Sequence, residues 1–298
     1  MRITSFTLIL FFVFVPFLHA QLSETAVWTT LLSSQYRVAP NITYSVANNY
    51  ECKLDVYARR ATPAPTLIYI HGGGWVAGTK DNAVLGILPF LEMGFSVVNV
   101  GYRLGKVSPA PAAVEDCRLA LRWVYKNAKE FGFDTTRIVV TGGSAGGHLA
   151  LMTGMLHPGA GFDTPKDWDT QQLNLKVAAV VNFFGITDVA DLLSGPNRQE
   201  YAVSWIGNQE NGASVAKRVS PLTYVRKGLS PILTIHGNND QLVPYSHAVR
   251  LHDALTKAGI RNELLTIPGG MHGGFTDDEM KKIFQTIRDF LGAQGVLK

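Results

Sequence analysis

The sequence is poor in cysteine and in charge, and past its first twenty residues it has no long apolar run. Two cysteines in 298 residues exclude a small disulfide scaffold, which depends on dense cross-linking. Charged residues make up 17% of the chain, and the formal charge of +4 is spread along it. Without a basic stripe to track phosphates, nucleic acid is not an expected partner. No repeat, low-complexity tract or Pro- or Ser-rich linker divides the chain. Hydrophobic residues are plentiful at 46%, with 29 glycines, which excludes intrinsic disorder and suffices for a large core. The length is within reach of one large α/β domain.

Arg2, an apolar stretch over residues 8–18, Ala20 and the polar Gln21 have the layout of a secretory signal peptide. A retained membrane anchor is the alternative, but the stretch falls short of the roughly 20 residues needed to span hydrocarbon. No later segment is long enough. The expectation is a leader over 1–20, a single domain over 21–298, and a secreted or periplasmic protein with no stable membrane span. Export would let Cys52 and Cys117 form a bridge. The stronger reading makes each a small buried residue, because Cys52 alternates with Leu54 and Val56 while Cys117 shares a helical stripe with Ala113, Ala120, Leu121 and Val124.

Short, nearly continuous apolar runs occur at 67–70, 97–100, 138–140, 177–184, 232–235 and 264–267. Such runs suit strands covered on both faces. Helix-period segments alternate with them at 83–92, 112–129, 145–156, 246–258 and 277–291. The alternation predicts an α/β fold with a mostly parallel sheet and helices on both faces. Residues 42–57 read as an antiparallel edge hairpin turning at Asn48-Asn49. The polar excursion 188–226, with Tyr201, Trp205, Ile206 and Tyr224, reads as surface structure or as a lid or pocket wall.

Gly142-Gly143-Ser144-Ala145-Gly146 follows the 138–140 strand and opens a helix. G-x-S-x-G in that context is the pattern of a nucleophile elbow, a strained strand-to-helix turn that glycines two residues either side leave room to form. The plain alternative is a glycine-rich helix start capped by a serine. A serine hydroxyl needs a base, and the base needs an orienting carboxylate. His19 falls in the leader, His157, His247 and His252 lie on or at the ends of helices, and His148 sits one turn after Ser144. His71 and His236 each close a strand before a glycine and read as structural. His272 remains, in Pro268-Gly269-Gly270-Met271-His272-Gly273-Gly274-Phe275, between the last strand and the last helix. For the acid, the order Ser, Asp or Glu, His leaves Asp240, after the 232–235 strand, and Asp188, one strand earlier; Asp240 is favoured, and Asp188 reads as a helix cap. His71-Gly72-Gly73-Gly74-Trp75 follows the 67–70 strand, and its glycines can offer backbone N–H groups. Gly73 and Gly74 are expected to form an oxyanion hole with the N–H of Ala145. Trp75, Tyr102 and Trp205 are candidate stacking surfaces for a sugar or an aromatic acid.

These residues resemble the α/β-hydrolase superfamily, more narrowly the esterases of the hormone-sensitive-lipase type and the bifunctional acetyl-xylan/feruloyl esterases. The likeness runs from about Leu54 to Phe290. It includes Leu54-Asp55-Val56-Tyr57, Tyr102-Arg103-Leu104, Pro111-Ala112-Ala113-Val114-Glu115-Asp116, Ser220-Pro221 and the segments above. Two departures are Gly101 before Tyr102-Arg103, where relatives often carry an acid or amide, and Gly274 inserted between Gly273 and Phe275. The resemblance implies an α/β-hydrolase fold with a small cap or none, and a serine carboxylic-ester hydrolase with Ser144, Asp240 and His272 as its triad. It needs no metal or cofactor. By analogy it would act on short acyl or feruloyl groups carried by a small molecule or plant polysaccharide. A serine peptidase or formamidase of the same fold, or a catalytically dead binding protein, are the alternatives.

Overall fold

The structure is a computed structural model that describes residues 23–163 and 175–297. The expected leader, with its boundary after Ala20, lies outside the described residues. Two units are distinguished, residues 1–34 and 35–298. The first contains all but the last residue of a helix, α1 (Glu24–Gln35), that the sequence reading did not anticipate. The second carries all the expected strands.

Eight strands form an open sheet in the order β1 (Tyr36–Ala47), β2 (Tyr50–Arg59), β4 (Ser96–Val100), β3 (Ala64–Ile70), β5 (Phe133–Gly143), β6 (Ala179–Phe183), β7 (Ile232–Gly237) and β8 (Asn262–Ile267). From β4 to β8 every pairing is parallel, whereas β2 is antiparallel to both its neighbours. The connecting helices are α2 (Val84–Glu92), α3 (Ala112–Lys126), α4 (Ala128–Phe131), α5 (Ala145–Met155), α6 (Glu200–Ile206), α7 (Gly212–Arg218), α8 (Ser246–Lys257) and α9 (Asp277–Ala293). Strands β4 and β7 are buried along their whole length, as expected of strands covered on both faces. Among the described residues no helix is long and apolar enough to cross a membrane.

Local chemistry accounts for the boundaries. The hairpin turns at Asn48 and Asn49, with φ of 54° and 57°, a left-handed pair that asparagine tolerates and that matches the twist of the flanking strands. Strand β1 starts six residues before the expected Ile42 because a bulge lets it continue past Pro40, where Asn41 takes φ 57° and its N–H reaches Asp55 at 2.7 Å. The expected single helix 112–129 breaks at Asn127, whose side-chain amide donates to the Trp123 carbonyl at 2.8 Å. Cys52 on β2 and Cys117 on α3 are both buried and free, so the bridge that export would permit is not formed. Burial, reinforced by the charge of Asp116, pushes the Cys52 thiol up to about 12, which keeps it protonated and inert.

The chain steps from β3 outward to β4, then crosses back to β5 on the other side of β3. The strand order therefore reverses between β3 and β5, where open α/β sheets hold their ligands beyond the carboxyl ends of the strands. The candidate residues follow that edge: the glycine loop after β3, the elbow after β5, Asp240 after β7 and His272 after β8.

Candidate active site

Ser144 lies between β5 and α5 with φ 58° and ψ −123°, a conformation that costs a non-glycine residue about 1–3 kcal/mol. The surroundings enforce it. A Cβ on Gly142 would stand 2.3 Å from the Ile70 carbonyl oxygen, and one on Gly146 would stand 2.1 Å from the same atom. Only glycine at both positions lets the end of β3 press so closely against the turn. Ser144 occupies the N-cap position of α5 without capping it, so the alternative of a merely capping serine does not hold. Its backbone N–H donates to Phe183 O at 2.9 Å and its carbonyl accepts from His148, so the backbone is tied down and the hydroxyl is left available.

Asp240 and His272 are joined directly, with Asp240 Oδ2 2.7 Å from His272 Nδ1. The other carboxylate oxygen accepts the N–H groups of Leu242 at 2.8 Å and Val243 at 2.9 Å. Burial opposes the charge on Asp240, but hydrogen bonds from His236, His272 and Val243, and the positive charge His272 can carry, hold its carboxyl well below the usual carboxylate range. A carboxylate at Nδ1 fixes the neutral tautomer with its hydrogen on Nδ1 and leaves Nε2 free to act as a base. Asp188 is placed differently. It binds Arg250 at 3.0 Å and accepts only a long 3.4 Å contact from the Asp191 N–H, so it orients no candidate base.

Ser144 and His272 are not hydrogen-bonded to each other among the described residues. Nucleophile–base contacts often close fully only with substrate in place. Phe184 links the two turns. Its ring lies 4.6 Å from the His272 ring and 3.3 Å from the point a Cβ on Gly143 would occupy.

Among the described residues, the N–H groups of Gly73, Gly74 and Ala145 donate to no protein acceptor, so all three are available to an oxyanion. Gly74, with φ 58°, is overlain by Tyr201 of α6, whose Cβ would be 2.8 Å from a Cβ at position 74. Tyr201 also donates its hydroxyl to Leu242 O at 2.9 Å. The excursion 188–226 thus forms a wall joining the glycine loop to the Asp240 loop. Tyr201 was legible only as one aromatic among several in that segment.

The three proposed stacking residues need correction. Trp75 and Trp205 are fully buried and Tyr102 is 2% exposed, so none offers a ring face to a sugar. Trp75 stacks on Trp205 at 4.1 Å and donates Nε1–H to His148 Nδ1 at 3.1 Å. His148 Nε2 in turn donates to Val219 O, and burial lowers this imidazole to about 4. Tyr102 stacks on His71 and donates to His71 O at 3.1 Å. These rings brace the glycine loop from within: Trp75 and Tyr102 are buried with their polar tips hydrogen-bonded, and Trp205, whose Nε1 has no partner among the described residues, is held by its stacking on Trp75. Arg103 beside them pairs with buried Asp116 at 2.7 Å, which pins the stretch after β4 to α3.

His236 closes β7 as expected and is fully buried; what sequence reasoning did not anticipate is that its Nε2 lies 3.1 Å from Asp240 Oδ2. Its position four residues before Asp240 was the available signal.

The BD-FAE family profile matches residues 54–255 of the chain. Esterase LipC of Mycobacterium tuberculosis is 31% identical over 233 residues, covering 74% of this chain and 56% of LipC. The probable carboxylic ester hydrolase LipM of the same organism is 31% identical over 64% of this chain and 45% of its own length. The chain thus spans about half the length of these curated relatives. Among solved structures, Thermogutta terrifontis esterase 2 phosphoramylated by tabun superposes with TM-score 0.73 at 28% identity, covering 88% of this chain and 96% of that one. A truncated carbohydrate esterase from gut microbiota gives TM-score 0.72 at 30% identity over 87% and 97%. The open, mostly parallel sheet is that of the α/β-hydrolase esterases.

Proposed function

This chain belongs to the BD-FAE family, and on that premise we propose that it is a serine carboxylic-ester hydrolase working through an acyl-enzyme. The observation that carries the proposal is the 2.7 Å Asp240–His272 pair on the same sheet edge as a strained, uncapped serine. In this mechanism His272 Nε2 takes the proton of Ser144 as Oγ attacks the ester carbonyl. The carbonyl oxygen, now negative, is held by the N–H groups of Gly73, Gly74 and Ala145. Collapse expels the alcohol, which leaves with the proton from His272. Water then attacks the acyl-enzyme with His272 again as base; the bond between Ser144 Oγ and the acyl carbon breaks, the acid leaves and Oγ takes back the proton from His272, with Asp240 stabilising the imidazolium in both halves.

For the substrate, we propose a short acyl group, acetyl above all, or a feruloyl group, carried by plant polysaccharide. The support is the family, and the carbohydrate esterase among the similar structures. Arg2, the apolar stretch 8–18 and Ala20 support export of the chain to where such polymers lie.

A panel of p-nitrophenyl acetate, butyrate and octanoate, run beside acetylated xylan and methyl ferulate, tests this. The acetate ester is expected to be hydrolysed, with kcat/KM falling at least about tenfold beyond butyrate, equivalent to roughly 1.4 kcal/mol of transition-state stabilisation. Activity that rises with chain length would contradict the short-acyl proposal. A failure to cleave any member would contradict the esterase.

A further inference from the structure

The carboxylate of Asp240 is shared by two imidazoles, only one of which the mechanism uses. Oδ2 receives His272 Nδ1 at 2.7 Å and His236 Nε2 at 3.1 Å. His236 is fully buried, and its Nε2 also lies 3.1 Å from the carbonyl oxygen of Val243. Both neighbours of Nε2 are acceptors, so this nitrogen carries the hydrogen and divides it between them. Nδ1 is buried and, among the described residues, has no hydrogen-bond partner. A proton there would be a buried donor without an acceptor, so the ring is built to donate one hydrogen, at Nε2, toward Asp240.

We infer that His236 is a positioning residue for the triad, an inference that rests on the esterase reading above. Asp240 has its Oδ1 fixed by two backbone N–H groups and its Oδ2 fixed by His236. Three donors thus set the plane of the carboxylate and the direction in which it meets His272. The His236 hydrogen also draws charge from the oxygen that faces His272. An imidazole opposite a weakened carboxylate holds its proton less tightly, which favours its release to the departing alcohol. Other groups do not duplicate this role. Tyr201 of α6 feels the charge of Asp240, and its hydroxyl donates to Leu242 O. Tyr245, preceding α8, meets His236 edge-on at 5.6 Å with its hydroxyl paired to Thr266. Phe184 presents an apolar ring to both imidazoles. Among the described residues no Lys, Arg or second carboxylate pairs with either imidazole.

The test compares His236→Phe, which fills the space without a donor, with His236→Gln, which keeps an N–H. For each, kcat/KM for p-nitrophenyl acetate is followed over roughly pH 4 to 9, alongside thermal unfolding. Loss of the donor leaves more charge on Oδ2 and stabilises the imidazolium. The acid limb of the His236→Phe profile is therefore expected to move to higher pH by about half to one unit, with a several-fold fall in kcat. The His236→Gln limb stays close to that of the wild type. If the Phe variant does not unfold cooperatively, His236→Asn replaces it with the same expectation, since its amide is too short to reach Asp240. A folded donor-less variant whose acid limb coincides with the wild type overturns the inference, as does an equal shift in the Gln variant. An inactive wild type would instead overturn the esterase reading, and this inference with it.

Discussion

Replacing Ser144 with alanine is expected to lower kcat for p-nitrophenyl acetate by roughly 10⁴- to 10⁶-fold while KM changes far less. In the proposed mechanism Oγ is the atom that bonds to the acyl carbon, so its loss removes the covalent route altogether. What remains is the slower attack of water assisted by the N–H groups of Gly73, Gly74 and Ala145. Substrate contacts remote from Oγ persist, which is why the change falls on kcat. The same substitution should leave folding intact or slightly improve it. Ser144 is only half-buried and holds a φ of 58°; alanine inherits that backbone conformation and removes a hydroxyl that makes no hydrogen bond within the described residues. A stable protein with negligible turnover separates a lost nucleophile from a lost fold.

The second large effect is expected at Asp240. Asp240→Asn should reduce kcat by roughly 10³- to 10⁴-fold, whereas Asp188→Asn should stay within about threefold, since Asp188 is taken up by a part-buried pair with Arg250 at 3.0 Å and orients no candidate base. The amide acts through the tautomer of His272. With an N–H2 group opposite Nδ1, the imidazole is pushed to accept there and to carry its hydrogen on Nε2, where it can no longer take the serine proton. The neighbouring His236 makes the conflict worse. Both imidazoles meet Oδ2 in the native protein, and an amide cannot accept from both without breaking the Leu242 and Val243 contacts. Comparing kcat of the two variants on one substrate decides between the two carboxylates. A larger loss at Asp188 would reassign the acid.

Much of the fold could be read from the sequence because its signals are local. The continuous apolar runs gave the central strands to within a few residues, and Asn48-Asn49 gave the hairpin turn. Thr276 and Glu279 form a capping box at the start of α9, where the sequence reading began that helix. The elbow was legible because its glycines are required by a backbone approach that no other residue permits. What was missed depends on distance. Trp75, Tyr102 and Trp205 have the composition of stacking surfaces, and only their packing against His148 and His71 shows that they brace the loop. Tyr201 reaches Gly74 from more than a hundred residues away, and Phe184 joins two turns that no periodicity connects. His236 sits in the same short tract as Asp240, yet its strand-closing position made it look structural, and the shared oxygen appears only once β7 has turned into its loop.

The central claim is that Ser144 is a nucleophile activated by the Asp240–His272 pair. Incubating the protein with a fluorophosphonate probe and locating the adduct by peptide mass spectrometry tests it most directly. One phosphonyl group per chain on Ser144, formed much more slowly in Asp240→Asn, is the predicted result. An unlabelled protein, or an adduct on any other residue, would contradict the account.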